Sequence, residues 1–229
     1  MLFLHGGGWA TEHVENYDRV CSRMAQATGQ TVAAVEYRLA PEAAYPAALI
    51  DAQAALKFLP RLLASLDIAH KPVFSVAGDS CGAGLAAIVA ARARLDKDVS
   101  VRRQVLITPV LDYSLSTPSM DRYGEGFFVE KSLLAWCLDQ YLPGGQDRKA
   151  LSPFFWEYGP GLAQTMIVTA EFSLARDEGA HFAEKLRQAG VHVELLHFDD
   201  MIHGFPLLEN LVPDACRKLY EAVSMFLQG

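Results

Sequence analysis

Short apolar runs alternate with amphipathic segments along most of the chain. The runs that predict β-strands are residues 2–4, 31–35, 73–77, 103–108, 166–170 and 192–198. The segments with apolar positions at helical spacing are residues 14–28, 45–66, 83–90, 131–141 and 213–227, together with a segment that ends near residue 190. Strands that alternate with helices predict an α/β fold, in which a mostly parallel sheet is covered by helices on both faces.

The alternation stops between residues 112 and 150. This stretch contains one helical segment, residues 131–141, and many aromatic side chains. A long insertion between regular strand–helix units usually serves as a lid or a binding loop. We therefore predict one domain over residues 1–229, with a lid-like insertion at residues 112–150 whose aromatic side chains divide between the core and the lid.

The composition limits the classes of function. A chain of 229 residues with 51% hydrophobic content can bury one sizeable core. A net charge of −7 without a basic run argues against nucleic acid or an anionic membrane as a partner, and no apolar stretch is long enough for a membrane span. The four scattered cysteines predict reduced thiols in a cytoplasmic protein, with neither a disulfide framework nor a metal site.

The pentapeptide Gly78-Asp79-Ser80-Cys81-Gly82 follows an apolar strand and precedes a helix. In this context a Gly-x-Ser-x-Gly motif forms a sharp turn that exposes the serine hydroxyl as a nucleophile. The positive end of the following helix also favours the negative charge that builds up during acyl transfer. The same motif occurs by chance, so the rest of the chain has to support this interpretation.

Three consecutive glycines follow the first predicted strand, within the sequence His-Gly-Gly-Gly-Trp at residues 5–9. Folded proteins keep such glycines where the backbone turns sharply or approaches another group closely. One interpretation is an oxyanion hole, in which the peptide N–H groups of Gly6, Gly7 and Cys81 face a developing negative oxygen. The other is an ordinary turn. We expect the flanking histidine and tryptophan to brace the loop by packing.

His203 lies just beyond the last predicted strand and is followed by a glycine. A lone histidine in a loop is more often inert than catalytic. This one occupies the place of the base in the order nucleophile, acid, base that α/β-hydrolases follow along the chain. In that role His203 would accept the proton of Ser80 and later pass it to the leaving alcohol.

These motifs together resemble the hormone-sensitive-lipase-like esterases, the bacterial family with a His-Gly-Gly-Gly loop. The stretches that match the family, in the family's order, are residues 5–9, 37–42, 45–47, 78–82, 151–153, 169–172, 176–179 and 203–205. The resemblance implies an α/β-hydrolase fold with a lid, no cofactor, and hydrolysis of short to medium acyl esters. It assigns the nucleophile to Ser80, the base to His203, and the oxyanion donors to Gly6, Gly7 and Cys81.

The chain departs from the family in its beginning. Family members ordinarily have a longer segment before the glycine loop, including two strands and part of the lid. Without those strands, residues 31–35 are predicted to form an exposed apolar edge, and such an edge invites pairing with another chain. The sequence therefore predicts either a homo-oligomer formed through this edge or a truncated version of a longer protein.

The triad acid is the second departure. The family has Asp-Pro-Leu-x-Asp-Glu-Gly after the penultimate strand, whereas residues 173–179 of this chain are Ser-Leu-Ala-Arg-Asp-Glu-Gly, which puts Ser173 at the acid position. Asp177, about one helical turn further on, is the predicted substitute acid, and capping of a helix N-terminus is its alternative role. Glu171 is a second substitute, with a structural role as its alternative.

We predict a serine carboxylesterase that forms an acyl-enzyme on Ser80 and acts on a small-molecule ester. Its activity is expected to be weakened, because Ser173 carries no charge to stabilise an imidazolium. Two alternatives remain open from the sequence. One is a catalytically impaired ligand-binding protein on the same fold, and the other is an amide or formamide hydrolase that uses the same residues.

Overall fold

Six parallel strands form one sheet in the computed structural model, which describes residues 1–96 and 99–229. The strands are β1 (Leu2–Leu4), β2 (Ala33–Val35), β3 (Val73–Asp79), β4 (Ser100–Ile107), β5 (Gln164–Phe172) and β6 (Val193–Ile202). Their spatial order is β2-β1-β3-β4-β5-β6, and every adjacent pair is parallel. The predicted α/β fold with a parallel sheet is confirmed.

The helices lie on both faces of the sheet. They are α1 (Asp18–Thr28), α2 (Ala47–Ser65), α3 (Cys81–Ala93), α4 (Pro118–Arg122), α5 (Lys131–Tyr141), α6 (Arg148–Leu151), α7 (Arg176–Gln188) and α8 (Pro213–Gln228). Leu2 and Leu4 of β1 pack in one apolar cluster with α2, α3 and α7, whereas Phe3 packs in a second cluster with α1 and α8. This division follows from the alternation of side chains across a strand. Within the described residues, no helix is both long and apolar enough to cross a membrane.

The stretch between residues 112 and 150 contains α4, α5 and the start of α6. Its aromatic side chains divide as predicted: Tyr113 and Tyr141 are buried, whereas Phe128 and Trp136 are 59% and 49% exposed. The buried pair packs against Trp9 of the glycine loop, with ring centroids 5.0 and 4.8 Å away. The insertion is therefore attached to the sheet through the same loop that precedes α1.

β2 lies at one end of the strand order and pairs with β1, so its outer edge carries no strand of the described residues. It is shorter than the predicted run of residues 31–35, because only residues 33–35 reach β1 with a matching register. Ala34 is exposed, and its two neighbours in β2 are half-buried.

Candidate active site

Ser80 occupies a tight turn between the end of β3 and the start of α3. Its backbone has φ 56° and ψ −124°, a conformation that residues other than glycine rarely adopt. Hydrogen bonds hold the turn: the Ser80 N–H donates to the Ile107 carbonyl at 2.9 Å, and the Ser80 carbonyl accepts from the Val110 N–H at 3.1 Å. The turn presents the Ser80 side chain, half-buried, at the carboxyl end of the sheet.

Two glycines allow this turn to pack closely against the rest of the sheet. A methyl group at Gly78 would lie 2.5 Å from the carbonyl carbon of Gly82. A methyl group at Gly82 would collide with the carbonyl oxygens of Leu4 and His5, at the end of β1. Both glycines of the motif are therefore required by close approach of backbone to backbone.

We expect Gly82→Ala to lower the free energy of unfolding by about 3 kcal/mol, because the added methyl group must push β1 away from α3. For a chain of this size that loss corresponds to a fall in Tm of about 6 to 12 °C, measurable by calorimetry. Gly159→Ala is the matched control, because its methyl group would come no closer than 3.9 Å to another atom. Equal Tm values for the two variants would contradict this account of Gly82.

His203 reaches Ser80 from the end of β6. Phe172 of β5 pairs with Ile202 of β6, so the next residue of each strand, Ser173 and His203, leave the sheet side by side. His203 Nε2 lies 2.8 Å from Ser80 Oγ, and His203 Nδ1 lies 2.9 Å from Ser173 Oγ. The structure thus brings Ser80, His203 and Ser173 into one hydrogen-bonded chain.

The surroundings of these three hydrogen-bonded side chains keep the His203 imidazole neutral. His203 is 2% exposed and Ser173 is 1% exposed. Burial lowers the pKa of His203 to about 4, because a charged imidazolium loses its hydration there. At neutral pH the ring is therefore unprotonated on one nitrogen and able to accept a proton.

Asp177, the predicted substitute acid, is directed elsewhere. One carboxylate oxygen accepts from the Arg176 Nε at 2.9 Å, and the other accepts from the Ser119 backbone N–H at 2.9 Å. The Asp177 N–H in turn donates to Ser119 Oγ at 3.0 Å. The prediction of Asp177 as the acid is at odds with this placement, since its carboxylate ties the first turn of α7 to α4 while His203 contacts Ser173.

Glu171, the other substitute, is also engaged away from His203. Its Oε1 accepts from Tyr123 Oη at 2.6 Å and from Arg176 Nη1 at 2.5 Å, and its Oε2 lies 3.4 Å from His197 Nε2. The hydrogen bond from Tyr123 and the charges of Arg176 and His197 lower the pKa of Glu171. Its predicted structural role fits this network, which joins the insertion to the end of β5.

The glycine loop lies against the nucleophile. A methyl group at Gly6 would be 3.3 Å from Ser80 Cβ and 2.5 Å from Tyr17 Oη, so the peptide of Gly6 is in close contact with the serine. Gly7 follows with φ 104°, which a side chain would strain. Cys81, fully buried, is the first residue of α3. Of the three residues predicted as oxyanion donors, Gly6 is therefore adjacent to Ser80 in space and Cys81 in the chain, while Gly7 follows Gly6 in the same loop.

The histidine and tryptophan of the loop have the bracing roles predicted for them. The His5 ring stacks on Tyr37 with centroids 4.2 Å apart, and its Nδ1 lies 2.7 Å from the Gly6 carbonyl oxygen. Trp9 is fully buried, and its backbone N–H donates to Cys81 Sγ at 3.3 Å. Both residues fix the backbone of the loop relative to Ser80.

A buried carboxyl next to the nucleophile was not identified from the sequence. Asp79 accepts hydrogen bonds from Tyr17 Oη at 2.8 Å and from Thr108 Oγ1 at 3.1 Å. Burial raises the pKa of Asp79 to about 6, and the hydrogen bonds from these hydroxyls act against that rise. The sequence does contain a signal for this network, because Asp79 is a charged residue at the end of an apolar strand. Asp79 also lies inside the Gly-x-Ser-x-Gly motif.

Glu178 is a second buried carboxyl that sequence reasoning missed. It is fully buried, and its Oε2 accepts from the backbone N–H groups of Leu111 and Asp112 at 2.6 and 2.5 Å. Burial raises the pKa of Glu178 well above its usual value. This side chain fixes the start of the insertion on α7, a contact that no local sequence pattern indicates.

The four cysteines are free thiols in the structure. Three of them are buried and Cys21 is half-buried. Within residues 1–96 and 99–229, no group of three or more histidine, cysteine, aspartate or glutamate side chains is arranged to hold a metal ion.

Known proteins that are similar to this chain share its fold. A family model described as alpha/beta hydrolase fold matches residues 1–207. The chain is 34% identical over 231 residues to an ethyl acetate hydrolase of Pseudomonas putida, covering 100% of this chain and 72% of that protein. A crystal structure of a thermostable esterase from Pseudomonas putida superposes with a TM-score of 0.90 at 31% identity, covering 97% of this chain and 71% of that one.

Relatives with a different role also match. A gibberellin receptor of Arabidopsis thaliana is 34% identical over 224 residues, covering 92% of this chain and 63% of the receptor. The chain spans 72% of the ethyl acetate hydrolase and 56% of a carboxylic ester hydrolase of Mycobacterium tuberculosis, to which it is 34% identical. The predicted resemblance to the hormone-sensitive-lipase-like esterases is confirmed. The chain therefore belongs to this alpha/beta-hydrolase family, and the esterases within it place the chain among the carboxylic-ester hydrolases.

Proposed function

We propose that the chain hydrolyses esters with short to medium acyl groups through an acyl-enzyme on Ser80. The observation that carries this proposal is the contact of 2.8 Å between His203 Nε2 and Ser80 Oγ. A general base must lie within hydrogen-bonding distance of the proton it removes, and this distance meets that requirement. The neutral imidazole, the strained turn at Ser80 and the adjacent glycine loop support the same conclusion.

The reaction follows from these positions. His203 Nε2 takes the proton of Ser80 as Oγ forms a bond to the ester carbonyl carbon, and the carbonyl oxygen becomes negatively charged. The N–H groups of Gly6, Gly7 and Cys81 stabilise that oxygen. His203 then gives its proton to the leaving alcohol oxygen, which leaves the acyl group on Ser80. Water, deprotonated by the same nitrogen, releases the acid and restores the serine.

Ser173 supports this cycle less well than a carboxylate does. For Nε2 to accept a proton, the other ring nitrogen of His203 must carry a hydrogen and donate it to Ser173 Oγ. That oxygen already accepts from the Ala175 N–H at 3.1 Å. In the opposite arrangement the Ser173 hydroxyl donates to Nδ1, and Nε2 then points its hydrogen at Ser80, which is unproductive. A carboxylate accepts only and enforces the productive tautomer, whereas a hydroxyl permits both.

The lid-like insertion at residues 112–150 is proposed to cover the site and to hold the acyl chain. Two of its attachments are the contacts of Tyr123 with Glu171 and of Ser119 with Asp177, near the carboxyl end of β5, which Ser173 follows. Two large apolar side chains of the insertion, Leu133 and Trp136, are half-exposed and offer surface to an apolar acyl chain. Exclusion of water by such a surface strengthens the electrostatic contacts inside the site.

Ser173 and the receptor among the relatives favour a second candidate, a ligand-binding protein with little turnover. A fluorophosphonate separates the two, because it forms a covalent bond only with an activated serine. We expect the chain to gain one phosphonyl group by mass spectrometry and to release one equivalent of p-nitrophenol in a burst from p-nitrophenyl butyrate. Ser80→Ala is the control and should remain unlabelled. A wild-type chain that binds esters but gives neither signal would establish the binding protein.

We also propose that two copies of the chain associate through the free edge of β2, near residues 31–35. An edge strand with unpaired N–H and C=O groups is a template for pairing. Helix α2, the next helix along the chain, also has exposed apolar side chains, Ile50, Phe58 and Leu62. Sedimentation analysis should detect a dimer that Ala34→Lys dissociates, because a lysine on the edge disfavours pairing. A monomer at every concentration measured would refute this proposal.

A further inference from the structure

Phe128 is an exposed aromatic residue in an unfavourable backbone conformation. Its φ is 76°, a region that bulky side chains rarely adopt, and its side chain is 59% exposed. Strained residues of this kind persist only where the surrounding structure holds them, and they cluster at functional sites. An exposed phenylalanine in such a conformation contributes little to the core, so its placement requires another reason.

The neighbouring residues fix Phe128 in this position. Phe127 stacks on Phe172, the last residue of β5, with ring centroids 5.6 Å apart and an angle of 1° between the planes. Tyr123 meets the edge of Phe127 with centroids 5.2 Å apart. The Val129 N–H donates to the Phe127 carbonyl at 3.0 Å. The ring contacts attach the backbone next to Phe128 to the end of β5, so the position of Phe128 is tied to the sheet.

The Phe128 ring lies beside Gly204, the residue that follows the proposed base. Its Cε1 would be 3.9 Å from a methyl group at Gly204, which is van der Waals contact, and Gly204 directly follows His203. The leaving alcohol receives its proton from His203, so the alcohol must lie on the same side of Ser80 as the His203 ring. The glycine loop, which contacts Ser80 through Gly6, belongs to the proposed oxyanion hole. It therefore faces the carbonyl oxygen of the ester and not the alcohol.

We propose that Phe128 is a specificity-determining residue that forms a wall of the subsite for the alcohol part of the ester. An exposed aromatic face held in place favours alcohols with an aryl or other apolar group, through ring contacts of the kind seen between aromatic side chains. This inference rests on the proposed esterase function and adds the class of alcohol that it prefers. The acyl part of the ester, attached to the serine, does not depend on Phe128.

The test compares two esters that share an acyl group and differ in the alcohol, ethyl acetate and benzyl acetate. Phe128→Asn removes the ring while keeping a residue that tolerates positive φ, so the fold is maintained. We expect KM for benzyl acetate to rise by about three- to tenfold with kcat nearly unchanged, while KM for ethyl acetate stays the same. Phe128→Tyr, which keeps the ring, should retain the wild-type KM for benzyl acetate.

Two controls separate specificity from general damage. The ratio of kcat/KM for p-nitrophenyl butyrate and acetate, which share an alcohol, should not change in Phe128→Asn. Phe155→Ala removes another partly exposed aromatic ring, 36% exposed, and should leave both KM values unaltered. Equal changes for ethyl and benzyl acetate would overturn the inference alone. A wild-type chain that hydrolyses neither ester and resists the fluorophosphonate would overturn the proposed function, and this inference with it.

Discussion

Replacement of Ser173 with aspartate is expected to raise kcat toward p-nitrophenyl butyrate, by up to about 10⁴-fold. The Ser173 side chain already lies 2.9 Å from His203 Nδ1, so a carboxylate at this position starts from a suitable distance. The carboxylate accepts the Nδ1 hydrogen, which selects the tautomer that leaves Nε2 free to take the proton of Ser80. It also stabilises the imidazolium that forms as the proton moves.

The pH dependence of kcat/KM gives this prediction a second measurement. Burial lowers the pKa of His203 to about 4, so the base of the wild-type chain stays unprotonated from neutral pH down to that region. A carboxylate at position 173 favours the charged imidazolium and raises that pKa. The acidic limb of the profile should therefore begin at a higher pH in Ser173→Asp than in the wild-type chain.

Ser173→Asn is the matched control, because asparagine has the shape of aspartate without its charge. It should bring no gain in kcat and no shift of the acidic limb. If Ser173→Asp leaves both quantities unchanged while the Ser80 hydroxyl remains essential, then another group already acts as the acid. That result would reject Ser173 as the weak third member of the triad.

The fold could be predicted from the sequence because its strands are apolar runs separated by helical patterns. The strand boundaries were less accurate where polar residues continue a strand. β6 extends to Ile202, although Asp199 and Asp200 interrupt its apolar pattern, since it forms the outer edge of the sheet in the described chain and its polar side chains reach solvent. This extension matters for the site, because it carries His203 to the level of Ser173.

The contact between Ser80 and His203 could be predicted, because Ser80 lies in a Gly-x-Ser-x-Gly motif and His203 follows it in the order that α/β-hydrolases keep along the chain. The third member of the site could not, since spacing along a helix leaves open where a carboxylate points. Asp177 is within one turn of Ser173, yet Ser119, from the distant insertion, takes up its carboxylate together with Arg176. The proposed role of Phe128 was missed for a related reason. That role depends on the backbone φ angle of Phe128 and on its contact with Gly204, and no sequence pattern indicates either one.

The cost of removing the Ser80 hydroxyl is expected to depend strongly on residue 173. In one serine protease with a complete triad, loss of the nucleophile lowers kcat by about 2 × 10⁶-fold, whereas loss of the acid alone lowers it by about 3 × 10⁴-fold. These losses do not add, because loss of the nucleophile leaves only the activity that the oxyanion donors and substrate binding supply, and loss of the acid alone already comes within about 70-fold of that activity. A chain that already lacks the acid has less activity left to lose.

We therefore expect Ser80→Ala to lower kcat by about 70-fold in the wild-type chain and by about 10⁶-fold in the Ser173→Asp background. Single-turnover kinetics with p-nitrophenyl butyrate would measure both, with Ser173→Asn as the background that controls for a change of shape. A loss near 10⁶-fold in the wild-type chain would mean that Ser173 already supports His203 as well as an aspartate does. A loss of about 70-fold in both backgrounds would mean that the carboxylate at position 173 does not couple to Ser80 through His203.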